Sequence, residues 1–131
     1  MRIVIADDSA LLREGLAELL RSRGLDVVAT APDAETLLDA VARQKPDLAV
    51  VDIRMPPTHT DEGLRAARTI RASTTSTAVL LLSQGVHAGQ ALTLFQSSGA
   101  GLGYLLKDRV SDVDDFMEAI ARVARGGSVI D

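Results

Sequence analysis

The chain has no cysteine and no tryptophan, and aromatic residues make up 2% of its 131 positions. The lack of cysteine rules out a disulfide framework and any thiolate metal site. It fits a reducing compartment, so a cytoplasmic location is the expectation. The shortage of aromatics removes the platforms on which single-stranded nucleic acids stack, and with them the rings that would sandwich a flavin. No glycine-rich phosphate loop occurs, which counts against a nucleotide-binding enzyme. Basic charge is thin: 14 Lys and Arg stand against 18 Asp and Glu, a net charge of −4. Gripping a phosphate backbone needs clustered cations, and the arginines here are scattered, so no direct nucleic-acid contact is expected. Long hydrophobic runs are missing too. The first apolar run, Ile3-Val4-Ile5-Ala6, is too short for a signal peptide, and no stretch could span a membrane, so no membrane partner is expected. Neither an internal repeat nor a low-complexity tract is present.

What remains is an aliphatic chain of a length that suits one domain with a real core. The stretch Asp47-Leu48-Ala49-Val50-Val51-Asp52 organises it. A short apolar run bounded by turn signals reads as a central strand of a parallel sheet. Pro56-Pro57 cannot continue a ladder, so Asp52 falls at the carboxyl end of that strand, where open α/β sheets bind ligands.

The rest of the chain alternates in the same way. Arg2 to Ala6 predicts a first strand, stopped by Asp7-Asp8-Ser9. Leu11, Leu12, Leu16, Leu19 and Leu20 follow helical spacing up to Gly24. Asp26 to Thr30 predicts a second strand, and Pro32-Asp33 opens a helix with Leu37, Leu38 and Val41 inward. After the Asp52 strand, Asp61-Glu62 places acid at a positive helix end. The helix there, Glu62 to Arg71, turns Leu64, Ala67 and Ile70 inward. Ser73 to Thr77 reads as a loop. Ala78 to Leu82 predicts a fourth strand ending at Ser83-Gln84-Gly85, and a weaker helix follows near 88–96. Glycines at 99, 101 and 103 lead into a last strand, Tyr104-Leu105-Leu106, which ends on Lys107. Ser111, with Asp114 three residues on, resembles a capping box for the final helix. That helix has a buried stripe of Val113, Phe116, Met117, Ile120 and Val123. Gly126-Gly127 ends it, so the domain is expected to cover 1–127, with 128–131 the start of a linker.

Five strand–helix alternations call for an α/β fold, a doubly wound parallel sheet with helices on both faces. Right-handed crossovers and strand number favour the flavodoxin-like order 2-1-3-4-5. In that order the switch point lies between strands one and three, so Asp7, Asp8 and Asp52 converge. Three carboxylates at one point repel unless a cation or protons intervene. Oxygen-only ligands suit Mg²⁺ or Mn²⁺, and Mg²⁺ often shares its shell with a phosphate oxygen. Lys107 offers a compact positive charge to such a group, Ser83 a hydroxyl, and a carboxylate can itself be the phosphoryl nucleophile. Each residue has a bland alternative: Asp7-Asp8 as helix caps, Ser83 as a turn residue, Lys107-Asp108 as a solvated pair, Tyr104 as a half-buried strand aromatic. Together they form a specific constellation. His59 and His87 are single loop-region histidines with no partner spacing and receive no role.

Asp7-Asp8, Asp52-Ile53-Arg54-Met55-Pro56, Ser83 and Gly103-Tyr104-Leu105-Leu106-Lys107 resemble the receiver domain of bacterial two-component response regulators over nearly the whole chain. Tyr104-Leu105-Leu106-Lys107-Asp108 and Gly126-Gly127 look most like the NarL/LuxR-type subfamily. The resemblance implies a phosphorylation-controlled signalling switch. It is not a turnover enzyme, although it catalyses its own phosphorylation and dephosphorylation. Asp52 would be the phosphoacceptor for a sensor histidine kinase. Asp8 would bind the metal directly, Asp7 mainly through water, and the backbone carbonyl of Arg54 would complete the set. Lys107 would contact the phosphoryl group, Ser83 would move toward it, and Tyr104 would turn inward behind it. A C-terminal helix-turn-helix DNA-binding domain would act on transcription and a phosphorylation-linked homodimer could form; this chain is expected to be a receiver cut from such a protein.

Three departures stand out. The loop from Pro57 to Thr60 is longer than usual, Gln84 replaces a small residue, and Asp108 replaces a proline, which leaves the Lys107-Asp108 bond open between cis and trans. Gly85 to Ala91 is expected to be mobile without phosphorylation. The rival readings are a pseudo-receiver that binds without phosphorylation and a Mg²⁺-dependent phosphohydrolase. The intact acid, hydroxyl and lysine set argues against the first. Arg54, where a second acid is needed, argues against the other.

Overall fold

The computed structural model describes residues 1–73, 76–84 and 101–130. In chain order the elements are β1 (Arg2–Ala6), α1 (Ala10–Ser22), β2 (Asp26–Ala31), α2 (Ala34–Gln44), β3 (Leu48–Asp52), α3 (Glu62–Ser73), β4 (Ala78–Ser83) and β5 (Leu102–Leu106). A 3₁₀ turn (Lys107–Ser111), α4 (Val113–Ala124) and β6 (Ser128–Ile130) complete them. The weaker helix expected near 88–96, the mobility expected over 85–91, and His87 lie outside the described residues.

All strand pairs are parallel and the sheet order is β2-β1-β3-β4-β5-β6. The expected 2-1-3-4-5 core is present. Its period-two alternation splits the interior into two cores. Val4, Ala6, Val51, Leu81 and Tyr104 point to α2 and α3, meeting Leu37, Val41, Leu64 and Ile70. Ile3, Ile5, Val50, Leu80 and Leu82 point the other way, meeting Leu16 and Leu20 of α1 and Phe116, Ile120 and Val123 of α4. Strands buried on both faces need unbroken apolar runs, which is why β1 after Arg2, and β3 and β4 up to their last residues, are apolar throughout.

Three local expectations are corrected and one open point is decided. Residues 128–130, read as the start of a linker, form β6: Gly126 turns the chain at φ 92, Gly127 accepts from the Gly101 amide at 3.0 Å, and Leu102 pairs with Ser128. A strand of three residues is too short to show periodicity. Leu11 is 88% exposed, because the inward stripe of α1 runs through Leu12, Leu16, Leu19 and Leu20 and Leu11 lies roughly 120° round the helix from its middle. Asp112, not Ser111, caps α4, accepting from the Asp115 amide at 3.2 Å. The 3₁₀ turn shifts the helix start by one residue, and Ser111 Oγ instead donates to the Asp108 carbonyl. Lys107-Asp108 is trans, and the cis bond among the described residues is Pro56-Pro57.

One contact fixes how α3 meets the end of β3. The Gly63 amide donates to the Ile53 carbonyl at 2.8 Å, and a Cβ at Gly63 would sit 1.9 Å from the Asp52 carbonyl oxygen. Only glycine permits that approach, and its neighbour there is backbone, which yields little. Gly15, in the middle of α1, has nothing within 4 Å of its own Cβ position. Opposite outcomes are expected in urea denaturation. Gly63→Ala loses about 3 kcal/mol, whereas Gly15→Ala gains roughly 0.5–1 kcal/mol through helix propensity.

Candidate functional site

The carboxyl ends of β1, β3, β4 and β5 open into a cleft of about 390 Å³ lined by Asp7, Asp8, Asp52, Arg54, Ser83 and Lys107. Topology puts them there. β1 and β3 are neighbours at the switch point, so Asp7 and Asp52 leave adjacent strands on the same edge. Lys107 follows β5, two strands from β3, and reaches back past the end of β4, where Ser83 lies buried.

The alternative that Asp7 or Asp8 caps α1 fails, because Ser9 accepts from the Leu12 amide as the N-cap. Asp7 is held instead by its surroundings. Its amide donates to the Ala31 carbonyl, Oδ1 accepts from the Ser9 amide at 2.8 Å, and its carbonyl accepts from Arg13 Nη1 at 2.7 Å. That leaves Oδ2. It is buried and accepts no hydrogen bond, and its compensation is the Lys107 ammonium 3.3 Å away. The same ammonium lies 3.2 Å from Asp52 Oδ2. Asp52 Oδ1 accepts from the Arg54 amide at 3.3 Å.

One ammonium therefore serves two buried carboxylates, and the deficit falls on Asp52. Its pKa is raised from 3.8 to about 6: burial is the largest cause, the Asp7 charge adds to it, and Lys107 opposes both. Oxygens of Asp7, Asp8 and Asp52 lie within 4.8 Å of one another. An all-oxygen set with one orphaned, buried carboxylate oxygen fits a hard divalent cation.

Tyr104 is 2% exposed and packs in the α2–α3 core instead of lining the cleft. The bland alternative of a half-buried strand aromatic therefore does not describe it.

Sequence reasoning missed two residues at the site. His59 reaches the cleft: its Nε2 lies 3.1 Å from Asp8 Oδ2, across 51 positions. Its φ of 55 is left-handed, a conformation that costs a non-glycine residue about 1 kcal/mol or more. Glu62 holds the loop that carries it. That carboxylate accepts from the Thr58 amide at 2.7 Å, from Thr58 Oγ1, and from the Thr60 amide at 3.1 Å. The Thr58 hydroxyl bond, with the backbone donors adding to it, lowers its pKa from 4.5 to about 2. Asp61-Glu62 was legible as acid at a helix start, but a clamp on the preceding loop was not.

The family model for the response regulator receiver domain matches residues 3–121. The transcriptional regulatory protein LnrK of Bacillus subtilis (strain 168) is 35% identical over 131 residues, 99% of this chain and 56% of that protein. DegU of Brevibacillus brevis is 34% identical over 131 residues, 99% of this chain and 52% of that protein. The chain thus spans about half the length of the curated relatives it matches. The signal receiver domain of NarL from Mycobacterium tuberculosis superposes with a TM-score of 0.73 at 32% identity, covering 89% of this chain and 93% of that one. A LuxR-family two-component response regulator from Aurantimonas sp. SI85-9A1 gives a TM-score of 0.80 at 28% identity, covering 98% and 87%.

The two shifted carboxylates have opposite stability signatures. Asp52 has a raised folded pKa. Above about pH 6 the folded state holds an ionised buried acid, and below 3.8 it and the unfolded chain are both protonated. The penalty is present at high pH and vanishes as pH falls. With a chelator present, Asp52→Asn is expected to stabilise the fold at pH 7.5 by up to roughly 3 kcal/mol, a gap that closes below pH 4. Glu62 has a depressed folded pKa, so its contribution is full above 4.5 and lost as pH falls toward about 2. Glu62→Gln is expected to lower the melting temperature at pH 7, and the difference from wild type shrinks across that window.

Proposed function

The chain belongs to the response regulator receiver family, a family of signalling modules, and on that premise we propose that it is a phosphorylation-controlled switch with Asp52 as the phosphoacceptor. The observation that carries the reading is the shared ammonium: Lys107 lies within 3.3 Å of both Asp7 and Asp52 at the edge of the sheet where three acids meet.

The chemistry follows from those charges. A carboxylate oxygen of Asp52 attacks the phosphorus of a phosphohistidine on a sensor kinase. The new P–O bond replaces the P–N bond, and the leaving imidazole keeps the electron pair and takes up a proton. Asp52 must be ionised to attack, and the buried, acid-flanked carboxylate resists ionisation. Lys107 counters that resistance and stays within reach of an added phosphoryl oxygen, where its point charge is most useful. Asp7, Asp8, Asp52 and the Arg54 carbonyl would hold Mg²⁺ or Mn²⁺. The bound cation would offset negative charge on the transferring group. Attack of water on the aspartyl phosphate in the same cleft would return the free carboxylate and inorganic phosphate.

The change is read out through the sheet. Ser83 lines the cleft and pairs with Leu106, while Leu81 pairs with Tyr104 one layer below. A phosphoryl group that draws the Ser83 hydroxyl opens space behind it, and Tyr104 shifts to fill it. The relatives named as transcriptional regulators are about twice as long as this chain, which supports an output in the control of transcription; a DNA-binding domain and a phosphorylation-linked homodimer are the forms proposed for that output. Among the described residues no helix is long and apolar enough to cross a membrane.

Intact mass after incubation with a small acyl-phosphate donor and Mg²⁺ tests the proposal. One added phosphoryl group is expected on the wild type, none on Asp52→Asn, and none without a divalent cation. Lys107→Ala is expected to slow the gain by at least about tenfold. An unmodified wild type that also fails to bind a beryllofluoride mimic would make the chain a pseudo-receiver.

A further inference from the structure

His59 stands at the mouth of the acidic cleft with no part in the chemistry above. It lines the cleft together with Asp7, Asp8 and Asp52, and its Nε2 makes an ordinary hydrogen bond of 3.1 Å with Asp8 Oδ2. That bond joins the loop after β3 to the loop after β1 across the opening. The backbone beneath the ring is fixed by other partners. The buried Glu62 carboxylate accepts from Thr58 and Thr60, the two residues that flank His59, and the His59 amide donates to the Met55 carbonyl at 2.9 Å. These bonds hold the left-handed φ of 55. None of them involves Asp7, Asp52 or Lys107, so they are kept when the charge on Asp52 changes.

We propose that His59 shields the aspartyl phosphate on Asp52 from water, and that Glu62 is the positioning residue that keeps the ring there. The proposal rests on the phosphoacceptor reading and sets how long the phosphoryl group lasts. In the hydrolysis that ends the signal, a water oxygen attacks phosphorus as the P–O bond to Asp52 breaks. The Asp52 carboxylate leaves with the electron pair, one water proton stays on the new phosphate, and the other goes to solvent. The attacking and leaving oxygens lie roughly in line. Asp52 is 4% exposed and lies at the floor of the cleft, so that line runs outward to the mouth. The His59 side chain, 52% exposed and bonded to Asp8, occupies this solvent side of the cleft. A side chain there takes the place of water on the approach, and excluding water protects a reactive intermediate.

The test is the lifetime of the added group. The chain is phosphorylated with a small acyl-phosphate donor at saturating Mg²⁺ and fixed neutral pH, the donor is removed, and the loss of phosphoryl mass is followed with time. His59→Gly removes the ring and suits a left-handed φ, and it is expected to lose the group roughly tenfold faster than wild type. His59→Asn also tolerates that backbone and should match it, which separates the ring from loop flexibility. Glu62→Gln is expected to speed the loss as well. The double variant should be no faster than His59→Gly alone, since effects that pass through one group do not add. A His59→Gly rate equal to or below that of wild type overturns the shield, as does a His59→Asn rate equal to wild type. A double variant faster than His59→Gly overturns the positioning role of Glu62. The phosphoacceptor reading survives each of these results. A wild type that takes up no phosphoryl group overturns both.

Discussion

Two buried carboxylates share one ammonium, and much of the molecule serves that arrangement. Asp7 and Asp52 leave adjacent parallel strands, and Lys107 spans the end of the strand beyond to reach both. A single positive charge cannot neutralise two negative ones, so the site stays short of positive charge. Burial first, and the Asp7 charge second, raise the Asp52 pKa, while Asp7 Oδ2 is buried without a hydrogen bond. Such a site costs stability in the empty protein and gains from any added cation. The rigid, doubly covered sheet holds it open, because aliphatic cores on both faces fix the strand ends that present the charges.

The loop after β3 is the second device, and it is built from polar bonds where the sheet is built from aliphatic packing. Gly63 lets the first turn of α3 press against the Asp52 backbone. That contact puts Glu62 under the loop, where its carboxylate gathers Thr58 and Thr60. A carboxylate taking several donors is strongly held in its ionised form, so the clamp is firm at neutral pH. The consequence at the far end is a histidine delivered to Asp8. The Glu62 bonds and the left-handed residue belong to one structure that sets the position of a single ring.

The chain belongs to the receiver family, a family of signalling modules, and spans about half the length of its curated relatives. Within the module, β4 and β5 connect the cleft to the opposite core. Ser83 and Tyr104 lie on neighbouring strands two positions out of register, Ser83 opposite Leu106 and Tyr104 opposite Leu81, one beside the charges and the other among aliphatic side chains. A change at the cleft can therefore reach packed side chains without passing through solvent.

The order β2-β1-β3-β4-β5 and the meeting of Asp7, Asp8, Asp52, Ser83 and Lys107 were legible before any coordinates, because each signal is local. An apolar run, a residue where it stops and a right-handed crossover suffice to assign strand ends to one edge. The features that escaped have no local signal. His59 meets a partner 51 positions away, and Glu62 looks like any acid at a helix start until the loop folds over it. Gly63 is one glycine among ten until a backbone carbonyl occupies its Cβ position. The cap at Asp112 and the edge strand at 128–130 depend on where a turn happens to end. Sequence alone determined the alternation and the charges at its ends, since both follow from short-range periodicity. Only the tertiary structure decided which side chains close around those charges, because that depends on distances between segments far apart in the chain.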